Sequence, residues 1–184
     1  MIITITGKPC SGKGTVSKIF CQKYNFEYIC TGDMFRSIGQ EMGYKDILSF
    51  NQDSEVVKAV DSMVDNKTKI IGKERLQDNI VFDSRLAWHF IPNSYKVFID
   101  VNIDTAARRL IEAKRNSEKV QSTTDAKHSL QERWSTENNR YQELYQTDNL
   151  DLNNYDLVID SSDKTPEEIA DIIHKEYQKI MRKP

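Results

Sequence analysis

Short apolar runs alternate along this chain with longer stretches in which apolar residues recur every three or four positions. Ile2 to Thr6 reads as a short buried strand. Val16, Ile19 and Phe20 then share one face of a helix expected over Lys13 to Tyr24. "FEYIC" repeats the strand pattern. "TGDMFRSIGQEMG" reads as a helix, with Thr31 and Asp33 as cap residues and a glycine stop. "SEVVKAVDSMVDNKTKII" is a second amphipathic helix. "NIVFD", "YKVFIDV" and "YDLVID" are strand-like. "DTAARRLIEAKRN" predicts a helix capped by Asp104, and a long charged helix is expected from about Asp125 to Tyr145. Between them, Ser117 to Asp125 is polar and reads as a mobile turn. "TPEEIADIIHKEYQKIM" is a last helix with Thr165 as N-cap and Pro166 at the first helical position.

Strands alternating with helices imply an α/β fold of three layers, a parallel sheet of five strands covered on both faces. Ligands of such sheets lie at the carboxyl ends of the strands, near the point where strand order reverses. Thr6, Cys30, Asp83, Asp100 and Asp160 therefore mark where chemistry is expected.

After the first of these strand ends comes "GKPCSGKGT", Gly7 to Thr15. It fits the phosphate-loop spacing G-x-x-x-x-G-K-[ST], except that Gly14 follows the lysine and the hydroxyl arrives at Thr15. A plain glycine-rich turn would also join a strand to a helix. The order strand, loop, helix favours a phosphate site. Lys8, Pro9, Cys10, Ser11 and Gly12 would line it, and Lys13 would reach the outer phosphates as a point charge.

Phosphoryl transfer between two anionic groups needs further cations and a metal ion. Arg36 follows the second strand, and Arg85 follows the third beside Asp83, which could hold a magnesium-bound water. A solvated Arg36 and a simple Asp83–Arg85 ion pair are the plainer alternatives. Between the fourth and fifth strands lie Arg108, Arg109, Lys114, Arg115, Arg133 and Arg140. Arg133 and Arg140 are seven positions apart, hence near one helical face.

The chain has 184 residues, enough for one domain with a proper core, and a net charge of −2. That balance argues against a general nucleic-acid binder. Cys10, Cys21 and Cys30 form no C-x-x-C pair, so a disulfide framework or zinc site is not expected. His89, His128 and His174 lack metal-ligand spacing, and Trp134 reads as a packing anchor. No signal peptide and no apolar run near the ~20 residues of a membrane span is found, so a cytoplasmic protein without membrane contact is expected.

The loop resembles the G-x-P-x-S-G-K-G-T loop of adenylate and cytidylate kinases, which also carry glycine after the lysine. That resemblance implies ATP as phosphoryl donor, held by Gly7 to Thr15, with Thr15 near magnesium and the β-phosphate. "TGDMFR" resembles the start of the monophosphate-binding segment of adenylate kinases, expected over about 31–70, and implies acceptor contact by Asp33 and Arg36. "SRLAWH" is similar to the G-R-L-A-G-W of short archaeal-type cytidylate kinases, with Ser84 in place of glycine and Trp88 shifted by one residue. "QERWSTENNRYQELYQTD" resembles their lid, expected over about 114–140, which would turn Arg133 and Arg140 to the phosphates. Arg109 matches an arginine of the preceding helix. By this resemblance the substrates are small nucleotides, the acceptor is CMP or dCMP, and Lys13, Arg109, Arg133 and Arg140 are catalytic. A monomer is expected. Other acceptors (AMP, UMP or a small metabolite such as shikimate) and a non-catalytic nucleotide-binding regulator remain the competing readings.

Overall fold

The computed structural model describes residues 1–44, 54–113 and 122–181. Five strands, β1 (Ile2–Gly7), β2 (Glu27–Cys30), β3 (Ile80–Asp83), β4 (Tyr95–Asp100) and β5 (Leu157–Asp160), form one sheet. Its order is β2-β3-β1-β4-β5, and every pairing is parallel. The order reverses at β1, so the loop after β1 opens between the ends of β3 and β4.

The described helices are α1 (Lys13–Tyr24), α2 (Thr31–Glu41), α3 (Ser54–Glu74), α4 (Ala87–Phe90), α5 (Ile103–Glu112), α6 (Thr123–Tyr145) and α7 (Pro166–Met181). On one face of the sheet, Val16 and Phe20 of α1 and Ile169 and Ile173 of α7 pack on Ile3, Ile5, Val97 and Ile99. On the other, Ala87 and Ile91 cover Ile2, Ile80 and Phe82, while Tyr141 and Tyr155 cover Phe98. β1 is buried on both faces, which is why it reads as an apolar run without alternation. Its two threonines are satisfied inside the core. The Thr4 hydroxyl shares a 3.1 Å hydrogen bond with Ser94, and Thr6 donates to the Ser84 carbonyl at 3.1 Å.

Several element ends differ from the sequence reading. Thr31 is the first residue of α2 and caps nothing; its hydroxyl donates to Ser84 Oγ at 3.0 Å. α5 is capped by Asn102, whose side chain accepts from the Thr105 N–H at 2.8 Å, and not by Asp104. α6 begins within the stretch read as a turn, because Ser122 accepts from the Asp125 N–H at 3.1 Å and supplies an N-cap. The expected lid residues Lys114 and Arg115 lie outside the described residues, as does part of the expected monophosphate-binding segment.

The short helix α4 has no helical period to read. Ser84 builds it: Ser84 Oγ accepts the N–H groups of Leu86 (3.3 Å) and Ala87 (3.1 Å). Among the described residues, no helix is long and apolar enough to cross a membrane.

Candidate active site

Gly7 closes β1 where a side chain would not fit, since a Cβ there would stand 2.6 Å from the Ile99 carbonyl oxygen. The chain then arches through Cys10 (φ 61°) and Gly12 (φ 83°), both left-handed. α1 starts at Lys13 with no side-chain cap, so the N–H groups of Lys13, Gly14 and Thr15 have no intrahelical acceptor. The Ser11 hydroxyl is buried and has no hydrogen-bond partner among the described residues. Unmet donors on one arch, at the positive end of a helix, are what a phosphate chain would satisfy.

Gly14 has a steric role. A Cβ there would lie 3.2 Å from Asp83 Oδ2. Glycine after the lysine thus lets the β3 carboxylate approach the start of α1. Asp83 is buried, its Oδ2 accepts from the Tyr28 hydroxyl at 2.7 Å, and its Oδ1 meets the Lys13 ammonium. Burial and then the Arg85 guanidinium lower Lys13 to about 8, so its charge gains from any anion beside it.

The loop opens into a cavity of about 840 Å³, within the size range of a ligand site. Lys13, Arg36, Arg85, Arg133 and Arg140 all line it, as do Asp83, Thr15 and every other residue of the loop. The structure therefore brings Lys13 and four of the arginines singled out in the sequence into one cavity. Arg85 pairs with Glu137 of α6, which also accepts from Arg133 at 3.2 Å. Arg140 pairs with Asp61 of α3 at 2.8 Å, its guanidinium 5.8 Å from the Tyr141 ring centroid.

Two residues expected at the site lie outside the lining of this cavity. Arg109 lines no part of this cavity. It donates to the Cys10 carbonyl (3.2 Å), the Ser161 hydroxyl (3.2 Å) and the Ser161 carbonyl (2.7 Å), tying the arch to the loop after β5. Asp33 also lies outside the cavity lining; it is exposed on α2 and engaged by Arg36 one turn on. Lys8 pairs with Asp100 at 2.7 Å and stands 4.2 Å from the ring centroid of Trp134, clasping the loop to α6. Trp88 is outside the lining too: its Nε1 donates to Asn149 Oδ1 at 2.7 Å, and its ring packs on Tyr155.

Sequence reasoning missed Glu137, Asp61, Asp65 and Tyr145, all in the lining. The signal was present as a four-residue repeat, Arg133, Glu137, Tyr141 and Tyr145, which puts one stripe of α6 over the site.

A magnesium ion fits the donor set. Asp83 and Thr15 are hard oxygen ligands, and magnesium completes its shell with waters and nucleotide oxygens. Among the described residues, no cluster of His, Cys, Asp or Glu would hold a metal without such help.

An α/β sheet whose first strand ends in a phosphate-binding arch, under a cavity lined with arginines from three other segments, defines a P-loop kinase. The model of the cytidylate kinase-like family matches residues 2–163, and the chain belongs to that family. It is 37% identical to the cytidylate kinase of Methanocaldococcus jannaschii over 175 residues, 94% of this chain and 95% of that one. It is also 34% identical to an S-adenosylmethionine-dependent nucleotide dehydratase of Lacinutrix mariniflava over 177 residues, 96% of this chain but only 36% of that protein. Shikimate kinase from Acinetobacter baumannii has the same fold, with a TM-score of 0.61 at 14% identity, over 99% of this chain and 95% of that chain. By family, the chain is an ATP-dependent nucleoside monophosphate kinase.

Proposed function

We propose that the chain transfers the γ-phosphoryl group of ATP to CMP or dCMP, with magnesium. The observation that carries the reading is one cavity lined both by the arch at the start of α1 and by Arg36, Arg85, Arg133 and Arg140. The cytidylate kinase relatives support the choice of base.

ATP would lay its phosphates on the N–H groups of Lys13, Gly14 and Thr15 and on the Ser11 hydroxyl. Magnesium would be held by Asp83 through water and by Thr15, and would neutralise charge on the transferring group. Lys13 leaves Asp83 for the outer phosphates. Arg36 and Arg85 hold the acceptor phosphate. Arg133 reaches across from α6, because Glu137 holds it beside Arg85. The acceptor oxygen is already anionic near neutral pH, so no general base is needed. Positioning and charge stabilisation then supply the rate.

Incubating the protein with ATP, magnesium and each of CMP, dCMP, UMP and AMP tests this. Formation of CDP or dCDP with equimolar ADP is expected, and absence of any diphosphate product overturns the assignment. Lys13→Ala is expected to lower turnover about 10²–10³-fold. A binding regulator would instead retain its response to a monophosphate alone.

The dehydratase relative motivates a second reading. There a homologous segment is part of a longer nucleotide-modifying protein. In that setting this chain would phosphorylate the nucleotide that a dehydratase acts on.

A further inference from the structure

The two oxygens of the buried Asp83 carboxylate have different surroundings. Oδ1 meets the Lys13 ammonium. Oδ2 accepts from the Tyr28 hydroxyl at 2.7 Å and faces Gly14, where a Cβ would stand 3.2 Å from it. The donor comes from the neighbouring strand. The parallel register of β2 and β3 sets Cys30 beside Asp83 and Tyr28 beside Val81. Tyr28 is thus two residues back on the face that Asp83 shares. A long side chain leaning along its strand spans that step.

The Tyr28 ring is itself held. It packs on the core cluster that α1 and α7 build over the sheet, and the Lys18 ammonium of α1 lies 5.6 Å from its centroid. Asp83 lines the cavity, whereas Tyr28 lines no part of it. Any effect of the phenol on the reaction must therefore pass through the carboxylate. A phenol stays protonated through neutral pH, so the hydrogen bond runs from Tyr28 to Asp83. A carboxylate on two rotatable bonds can exchange its oxygens or turn aside. A donor fixed by packing removes that freedom at Oδ2 and leaves Oδ1 as the oxygen offered to a ligand. With the donor gone, a buried charged oxygen loses its partner, and the carboxylate turns to find another.

We propose that Tyr28 is a positioning residue for phosphoryl transfer, holding Asp83 by Oδ2 so that Oδ1 is presented to the water of the magnesium–nucleotide complex once Lys13 has moved to the phosphates. The inference rests on the reading of Asp83 as the carboxylate that meets this water. Tyr28 needs no contact with nucleotide or metal, and its strand pattern gives no sign of the role.

Calorimetry of the full chain with ATP, in magnesium and in EDTA, tests it. Wild type is expected to bind ATP at least about tenfold more tightly with magnesium. Tyr28→Phe removes one oxygen and keeps the packed ring. In that variant the gain from magnesium is expected to shrink about tenfold, while affinity in EDTA stays within about twofold of wild type. Half-saturation of turnover by magnesium is expected to rise about tenfold, with KM for CMP unchanged. In an Asp83→Asn background, adding Tyr28→Phe is expected to change the magnesium gain by less than about twofold, because the carboxylate through which it acts is gone. Tyr28→Met, a pliable apolar side chain without the hydroxyl, replaces Tyr28→Phe if that variant does not fold. Equal losses in magnesium and in EDTA would overturn the proposal, since a purely structural role weakens the arch for both forms of ATP. An undiminished magnesium gain in Tyr28→Phe, a full further loss in the Asp83→Asn background, or a wild type indifferent to magnesium would overturn it too. If CMP is phosphorylated but Tyr28→Phe matches wild type in both media, the positioning role fails and the kinase assignment stands. If no monophosphate yields a diphosphate while the magnesium gain still depends on Tyr28, the kinase assignment fails and the hold of Tyr28 on Asp83 stands.

Discussion

Asn149 shows how a single buried residue joins two aromatic side chains of one packed cluster. Its Oδ1 accepts from Trp88 Nε1 at 2.7 Å and from the Tyr155 hydroxyl at 2.9 Å. Asn149→Ala leaves both donors unmet in an apolar cluster, and a loss of about 1–3 kcal/mol in stability is expected in denaturant unfolding. Asp65 works in the opposite sense. Its folded carboxyl titrates above the ordinary 3.8, so the folded state binds more protons, and its contribution to stability falls as pH rises from 3.8 through the raised value. Asp65→Asn is therefore expected to raise the thermal midpoint at neutral pH, and the gain should vanish below the ordinary carboxyl range. Thermal scans across pH 3 to 8 would show this, and a midpoint lower than wild type at neutral pH would contradict it.

At the scale of elements, the arch between β1 and α1 depends on a helix it does not touch in sequence. Cys10 takes a left-handed conformation without being glycine, and Arg109 of α5 holds its carbonyl while binding Ser161. Arg109→Met is expected to raise KM for ATP about tenfold with little change in kcat, because it loosens a pre-formed loop. A fall in kcat at unchanged KM would instead mean that Arg109 acts on the transferring group. The element pattern also shows where sequence reasoning stops. α1 and the five strands were legible because their apolar periods are unambiguous. α4 was not, because one turn carries no period and is set by the Ser84 hydroxyl and by burial against Ile2 and Phe82.

For the whole molecule, α6 is the element that joins the separate parts of the site. It meets the arch through Lys8 and Trp134, the acceptor loop through Glu137 and Arg85, and α3 through Arg140 and Tyr145. Ala126 and Leu130 anchor its first half on α5 and Tyr141 packs on Phe98, whereas several of its contacts over the site are ion pairs that nucleotide phosphates would replace. Closure on substrate is thus expected. Hydrogen exchange should slow across α6 and α3 when ATP and CMP are both bound, and less with either alone. Unchanged exchange in the ternary complex would speak against closure.

The phosphate arch, the parallel α/β sheet and the identity of the cations were determined by sequence alone, because each rests on local spacing and on burial periods within one segment. The destinations of those cations were decided only by the tertiary structure. Arg109 and Arg133 look equivalent as charges on helices, yet one braces the arch from behind and the other lines the cavity. The acids Asp61 and Asp65 look like the solvated face of an amphipathic helix until α6 is laid over them. Charge pairing across elements depends on which faces the sheet order brings together, and no local pattern encodes that.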